Sequence, residues 1–93
     1  MQLLKIYYAY FRPGNTTEKV VSHIASSFQN YPVESINLTD YATRQEDYYF
    51  KENELLIIGV PAYGGRVPAP VVDALRHFTG SNTPVVLVAT YGN

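Results

Sequence analysis

The chain has no cysteine and no tryptophan, and it carries one methionine and two histidines in 93 residues. Without cysteine these residues form no disulfide, offer no thiol nucleophile and hold no iron–sulfur cluster, and two isolated histidines make no zinc site by themselves. Charge of one sign is also lacking. Seven Lys and Arg stand against eight Asp and Glu, for a net charge of -1. The cations Lys5, Arg12, Lys19, Arg44, Lys51, Arg66 and Arg76 are scattered, so no basic face for a phosphate backbone, and no nucleic-acid partner, is expected. No apolar run approaches the roughly 20 residues of a membrane span. The opening Met1-Gln-Leu-Leu-Lys-Ile-Tyr-Tyr8 lacks the charged lead and small-residue cleavage site of a signal peptide. The expectation is a cytoplasmic protein with no membrane partner, in which Asn15-Thr16-Thr17 and Asn37-Leu38-Thr39 match the glycosylation pattern by chance. No serine sits in a nucleophile elbow, and neither histidine has a nucleophile or carboxylate at a catalytic spacing. Hydrolase chemistry has no support.

What is present is an alternation of apolar strands and amphipathic helices. Residues 3–8, Leu-Leu-Lys-Ile-Tyr-Tyr, suit a buried first strand. From Thr17 onward Val20, Val21, Ile24, Ala25 and Phe28 recur at helical spacing, with Glu18, Lys19, Ser22, His23 and Ser26 on the opposite face. Pro32 ends that helix, and residues 33–38 read as a second, alternating strand. Residues 39–53, rich in tyrosine and charge, read as a long connection with a short helix inside it. Residues 54–60, Glu-Leu-Leu-Ile-Ile-Gly-Val, form a continuous aliphatic run, the signature of a strand buried on both faces. Pro70 opens a helix whose Val71, Ala74, Leu75 and Phe78 face inward; Arg76 and His77 lie near its end and Gly80 beyond it. Residues 84–90, Pro-Val-Val-Leu-Val-Ala-Thr, make a fourth strand, again apolar on both faces. This pattern implies one α/β domain over residues 1–93: a doubly wound parallel sheet between two helical layers, α/β/α. The fourth strand's uncharged, β-branched edge invites pairing with another chain.

In such sheets ligands bind beyond the carboxyl ends of the strands. Three loops are expected there. In the first, Arg12, Pro13, Gly14, Asn15, Thr16 and Thr17 precede a helix, whose first turn has unpaired N–H groups that suit an anion. Asn15 or Thr16 as a plain helix cap is the alternative. The stretch is neither a Walker loop nor a Gly-x-Gly-x-x-Gly fingerprint. In the second loop, Pro61, Ala62, Tyr63, Gly64 and Gly65 set an aromatic ring on a stiff turn; it either stacks on a flat ligand or packs on the surface. The third, Thr90, Tyr91, Gly92 and Asn93, brings a second tyrosine.

Together these loops resemble the flavodoxin-like family. Residues 59–75, Gly-Val-Pro-Ala-Tyr-Gly-Gly-Arg-Val-Pro-Ala-Pro-Val-Val-Asp-Ala-Leu, carry most of the likeness, particularly to flavodoxin domains fused to a bacterial-type ferredoxin module. Residues 84–93, ending Val-Ala-Thr-Tyr-Gly-Asn, continue it. The family's first loop reads Ser/Thr-x-Thr-Gly-Asn/Thr-Thr, from which residues 12–17 depart. The resemblance implies a strand order 2-1-3-4, and a family fifth strand that these residues do not include. It also implies FMN as cofactor, with residues 12–17 on its phosphate, Tyr63 and Tyr91 flanking the ring, and Gly64 and Gly65 facing its reactive edge. The protein would be an electron carrier rather than a hydrolase or transferase, with a flavin-dependent reductase as a variant. Its redox partner protein is not named by the residues. The alternative is a truncated domain without flavin that serves as a dimerisation or interaction module, with a homodimer formed through the fourth-strand edge.

Overall fold

The computed structural model describes residues 3–11, 16–28, 30–62 and 64–91. Its elements are β1 (Lys5–Tyr10), α1 (Thr16–Ser26), β2 (Val33–Asn37), α2 (Tyr41–Arg44), β3 (Tyr48–Tyr49), β4 (Glu54–Ala62), α3 (Ala69–Leu75), β5 (Phe78–Thr79) and β6 (Val85–Tyr91). Four strands form one wholly parallel sheet in the order β2-β1-β4-β6. Counting only these four, the order is 2-1-3-4, as in a flavodoxin-like sheet.

The pleat sorts side chains into two cores. Ile6 and Tyr10 of β1 join Leu55 and Ile57 of β4 beneath Val21 and Ala25 of α1. Ala9 of β1 joins Leu56, Ile58 and Val60 of β4 on the other face, under Val71 and Ala74 of α3. The helix α1 buries Thr17, Val21 and Ala25, spaced four apart and therefore aligned along one face. Helices on opposite faces make three layers. The strand β4 lies between β1 and β6, and all nine of its residues are buried. Fully covering a Leu or Ile side chain stabilises the fold by about 1.5–3 kcal/mol, so β4 is where most of the sheet's hydrophobic stabilisation collects.

Several expectations are corrected. Pro61 and Ala62 belong to β4 rather than to a loop: they pair with Thr90 and Tyr91, which likewise belong to β6. The β1–β4 ladder stops at Tyr10 and Gly59, so the N–H that Pro61 lacks falls beyond the last β1 pair. Phe78 is not helical. Its helix ends at Leu75, and Phe78–Thr79 pair in parallel with Tyr48–Tyr49 in a second, two-stranded sheet. Tyr48 N–H donates to the His77 carbonyl and Phe50 N–H to that of Thr79, both at 2.8 Å. Around this clasp Phe78 meets Tyr48 and Phe50 edge-on at 5.3 and 5.4 Å, and Phe50 meets Tyr7 at 5.0 Å. The fourth strand of the large sheet, β6, is apolar but not buried on both faces: Val85, Val86, Leu87 and Tyr91 are exposed. Among the described residues it has one neighbouring strand, and α1 meets it at Thr90, with Val88 packed against the core on that face. Among the described residues, no helix is long and apolar enough to cross a membrane.

Candidate functional site

The carboxyl ends of β1, β4 and β6 lie side by side, because the register runs Tyr10 to Gly59 and then Val60–Ala62 to Ala89–Tyr91. From this edge the chain leaves β1 for α1 on one face and β4 for α3 on the other. Adjacent connections that diverge in this way open a crevice.

The first turn of α1 is fixed against that crevice by two contacts. Gly59 of β4 faces α1, where a Cβ would stand 2.5 Å from Val21 Cγ1 and 2.7 Å from Thr17 Cγ2. Only hydrogen fits. The hydroxyls of Thr17 and Thr90 lie 2.8 Å apart and share a hydrogen bond, and Thr90 Oγ1 also lies 3.4 Å from the Val60 carbonyl oxygen. Thr17 is therefore buried, and its hydroxyl ties helix to strand, whereas Thr16 is exposed at the helix start.

Beyond β4, Gly64 and Gly65 take φ of +56° and +79°, the left-handed region that glycine enters without a steric penalty. A Cβ on either would meet nothing within 4 Å, so both present open backbone to solvent. Tyr91 is 77% exposed at the end of β6, on the face it shares with Ala62. The fold thus brings Thr16, Thr17, Pro61, Ala62, Gly64, Gly65, Thr90 and Tyr91 to one edge of the sheet. Arg12, Pro13, Gly14, Asn15, Tyr63, Gly92 and Asn93 lie outside the described residues.

Other features were not apparent from the sequence. A cavity of about 390 Å³ lies between α2 and α3, lined by Tyr41, Arg44, Asp73 and His77 among others. The helix α2 is anchored by Asp40, whose carboxylate accepts from the Thr43 N–H at 3.2 Å and the Thr43 hydroxyl at 2.7 Å. His77 lies just beyond the end of α3, and its Nδ1 stands 2.7 Å from Asp47 Oδ1. A second, largely apolar groove runs between α3 and β6, lined by Val60, Val67, Val72, Leu75, Arg76 and Leu87. Among the described residues no three His, Asp or Glu side chains converge as metal ligands would.

Among the described residues, two groups are shifted away from their ordinary values. Lys5 is raised above 10.5, chiefly by its hydrogen bond to Glu34 at 2.7 Å. Tyr48 is raised above 10.0, first by burial of its phenol and then by its hydrogen bond to Glu46. Neither stands at the crevice.

Comparison with known proteins adds a short likeness to ribonuclease Z. Over 48 residues, 52% of this chain, it is 42% identical to ribonuclease Z of Staphylococcus aureus strain MSSA476, and 40% identical to that of strain JH9. The chain spans about 16% of the length of the curated relatives it matches. No protein-family profile matches it. No solved structure matches it.

Proposed function

We propose that this chain is an FMN-binding, flavodoxin-like electron-transfer domain. The observation that carries the reading is the shared carboxyl edge of β1, β4 and β6, with the first turn of α1 tied to it by Thr17 and the open Gly64–Gly65 backbone following β4. The fit is specific in chemistry. An exposed Thr16 at a helix start suits a phosphate, because the N–H groups of that turn have no helical partners and the dipole favours an anion. Side-chain-free backbone at Gly64 and Gly65 suits the edge of a flat ring, which needs close main-chain approach. The exposed Tyr91 suits its face. Bound FMN would supply the electron-carrying chemistry; the protein's residues would bind it, orient it and limit its contact with water. The reading extends to residues 12–15, Tyr63, Gly92 and Asn93 by resemblance. Titration of the purified chain with FMN tests it. The expected outcome is saturable quenching of flavin fluorescence with a dissociation constant on the order of micromolar or tighter. Unquenched FMN at tens of micromolar protein would end the reading for this chain.

A second reading, an interaction module, is favoured by β6. Seven residues without a charge form a sheet edge exposed on both faces, and such an edge is a template for further pairing. A homodimer through this edge predicts concentration-dependent sedimentation that Val86→Lys abolishes. A monomer at all concentrations sinks it without bearing on FMN.

A further inference from the structure

The cavity between α2 and α3 lies on the sheet face opposite α1 and plays no part in the proposed flavin crevice. Its most distinctive wall is Arg44. The guanidinium carbon stands 5.4 Å from the Phe11 ring centre and 5.5 Å from that of Tyr41, so two rings hold one planar cation by cation–π attraction. The side chain is half-buried, and it makes no ion pair among the described residues. A guanidinium whose neighbours are aromatic rings rather than carboxylates keeps its N–H donors for a planar, bidentate acceptor. Beside it stands His77, whose Nδ1 is engaged by Asp47 and whose Nε2 is its available nitrogen. Exposed Tyr41, together with Pro70 and Ala74, supplies the apolar part of the lining, and Gln45 adds a further polar group.

The carboxylate of Asp73 also lines the cavity, 3.8 Å from Arg76. It limits what the site accepts. A polyphosphate or other multiply charged anion would meet that carboxylate, whereas one carboxyl group satisfies Arg44 and leaves the remainder of the ligand to the apolar wall. The volume of about 390 Å³ falls in the range of small-molecule sites. We infer that the α2–α3 cavity is a binding site for a small aromatic carboxylate, with Arg44 taking the carboxylate and Tyr41 the ring. The inference does not depend on flavin binding.

Benzoate is the probe. Titrated at low ionic strength into the full, isotopically labelled chain, it should give saturable amide shifts centred on Tyr41, Arg44, Asp73 and His77. Benzamide, which keeps the ring without the charge, should bind about tenfold more weakly, as should Arg44→Gln toward benzoate. Equal binding of benzoate and benzamide, shifts centred elsewhere, or full affinity in Arg44→Gln would overturn the inference. Should Arg44→Gln lose its native spectrum, Asp73→Asn decides the matter, since Asp73 is exposed and its loss leaves the core intact. Removing that negative charge should tighten benzoate binding by about two- to fivefold at low salt; unchanged or weaker binding would overturn the site.

Discussion

The strands β4 and β6 are neighbours, run parallel and read almost alike as sequence, Glu-Leu-Leu-Ile-Ile-Gly-Val-Pro-Ala against Val-Val-Leu-Val-Ala-Thr-Tyr. Yet every residue of the first is buried, and none of the second is. The cause lies outside both strands. Strand β4 has a partner on each edge and helices over both faces, while β6 has one partner and the marginal cover of α1. A continuous apolar run therefore reports that a strand suits full burial; the neighbours decide whether the burial happens.

Truncation should separate the two strands most sharply. Ile57→Ala, at a position with no exposure, should cost about 2–5 kcal/mol in urea denaturation. Leu87→Ala, 65% exposed on the same sheet, should cost about 0.5 kcal/mol or less. Equal losses would mean that β6 is covered in solution. Next in size is Gly59→Ala, which forces a methyl group against Val21 and Thr17 and should destabilise by about 1–3 kcal/mol. A neutral result would show that α1 moves away from β4 freely. The link from α1 to β6 is smaller: in a double-mutant cycle, Thr17→Val and Thr90→Val should couple by about 0.5–1.5 kcal/mol.

The smallest effect concerns pH, at groups remote from both strands. The raised values of Lys5 and Tyr48 mean that the fold favours the protonated form of each. Their contribution is fully present below the unfolded values of 10.5 and 10.0 and is lost as pH rises through the higher folded values. Lys5 and Glu34 form a surface pair worth about 0–1 kcal/mol, so denaturation midpoints should decline gently above about pH 10 rather than collapse. Lys5→Met should remove part of that decline.

Much of this architecture was legible because periodicity is written by burial. The helical spacing of Val21 and Ala25, the aliphatic run of β4 and Pro70 at the start of α3 each follow from the surface that the element covers. The clasp of β3 and β5 was not legible, since two residues carry no period and their pairing partners lie thirty positions apart. The same limit hid the α2–α3 cavity: Arg44 and His77 come from segments with no shared motif, and only the clasp and the two short helices bring them to one place. At the carboxyl edge of the sheet, the sequence indicated which segments come together but misplaced where strand ends and loop begins. Pro61 reads as a strand breaker unless one knows that the β1 ladder has already stopped at Gly59.

The clasp has a consequence for the continuity of the chain. Arg66 is exposed just beyond the Gly64–Gly65 turn, and trypsin cleavage after it would divide the polypeptide into residues 1–66 and 67–93. The two pieces would still share the whole β4–β6 ladder on one side and the β3–β5 pair with its aromatic cluster on the other. Two separate seams hold them together, so this peptide bond is dispensable for cohesion. Expressed as separate fragments, the halves should find each other, which makes the turn a natural place to split the protein into a complementation pair.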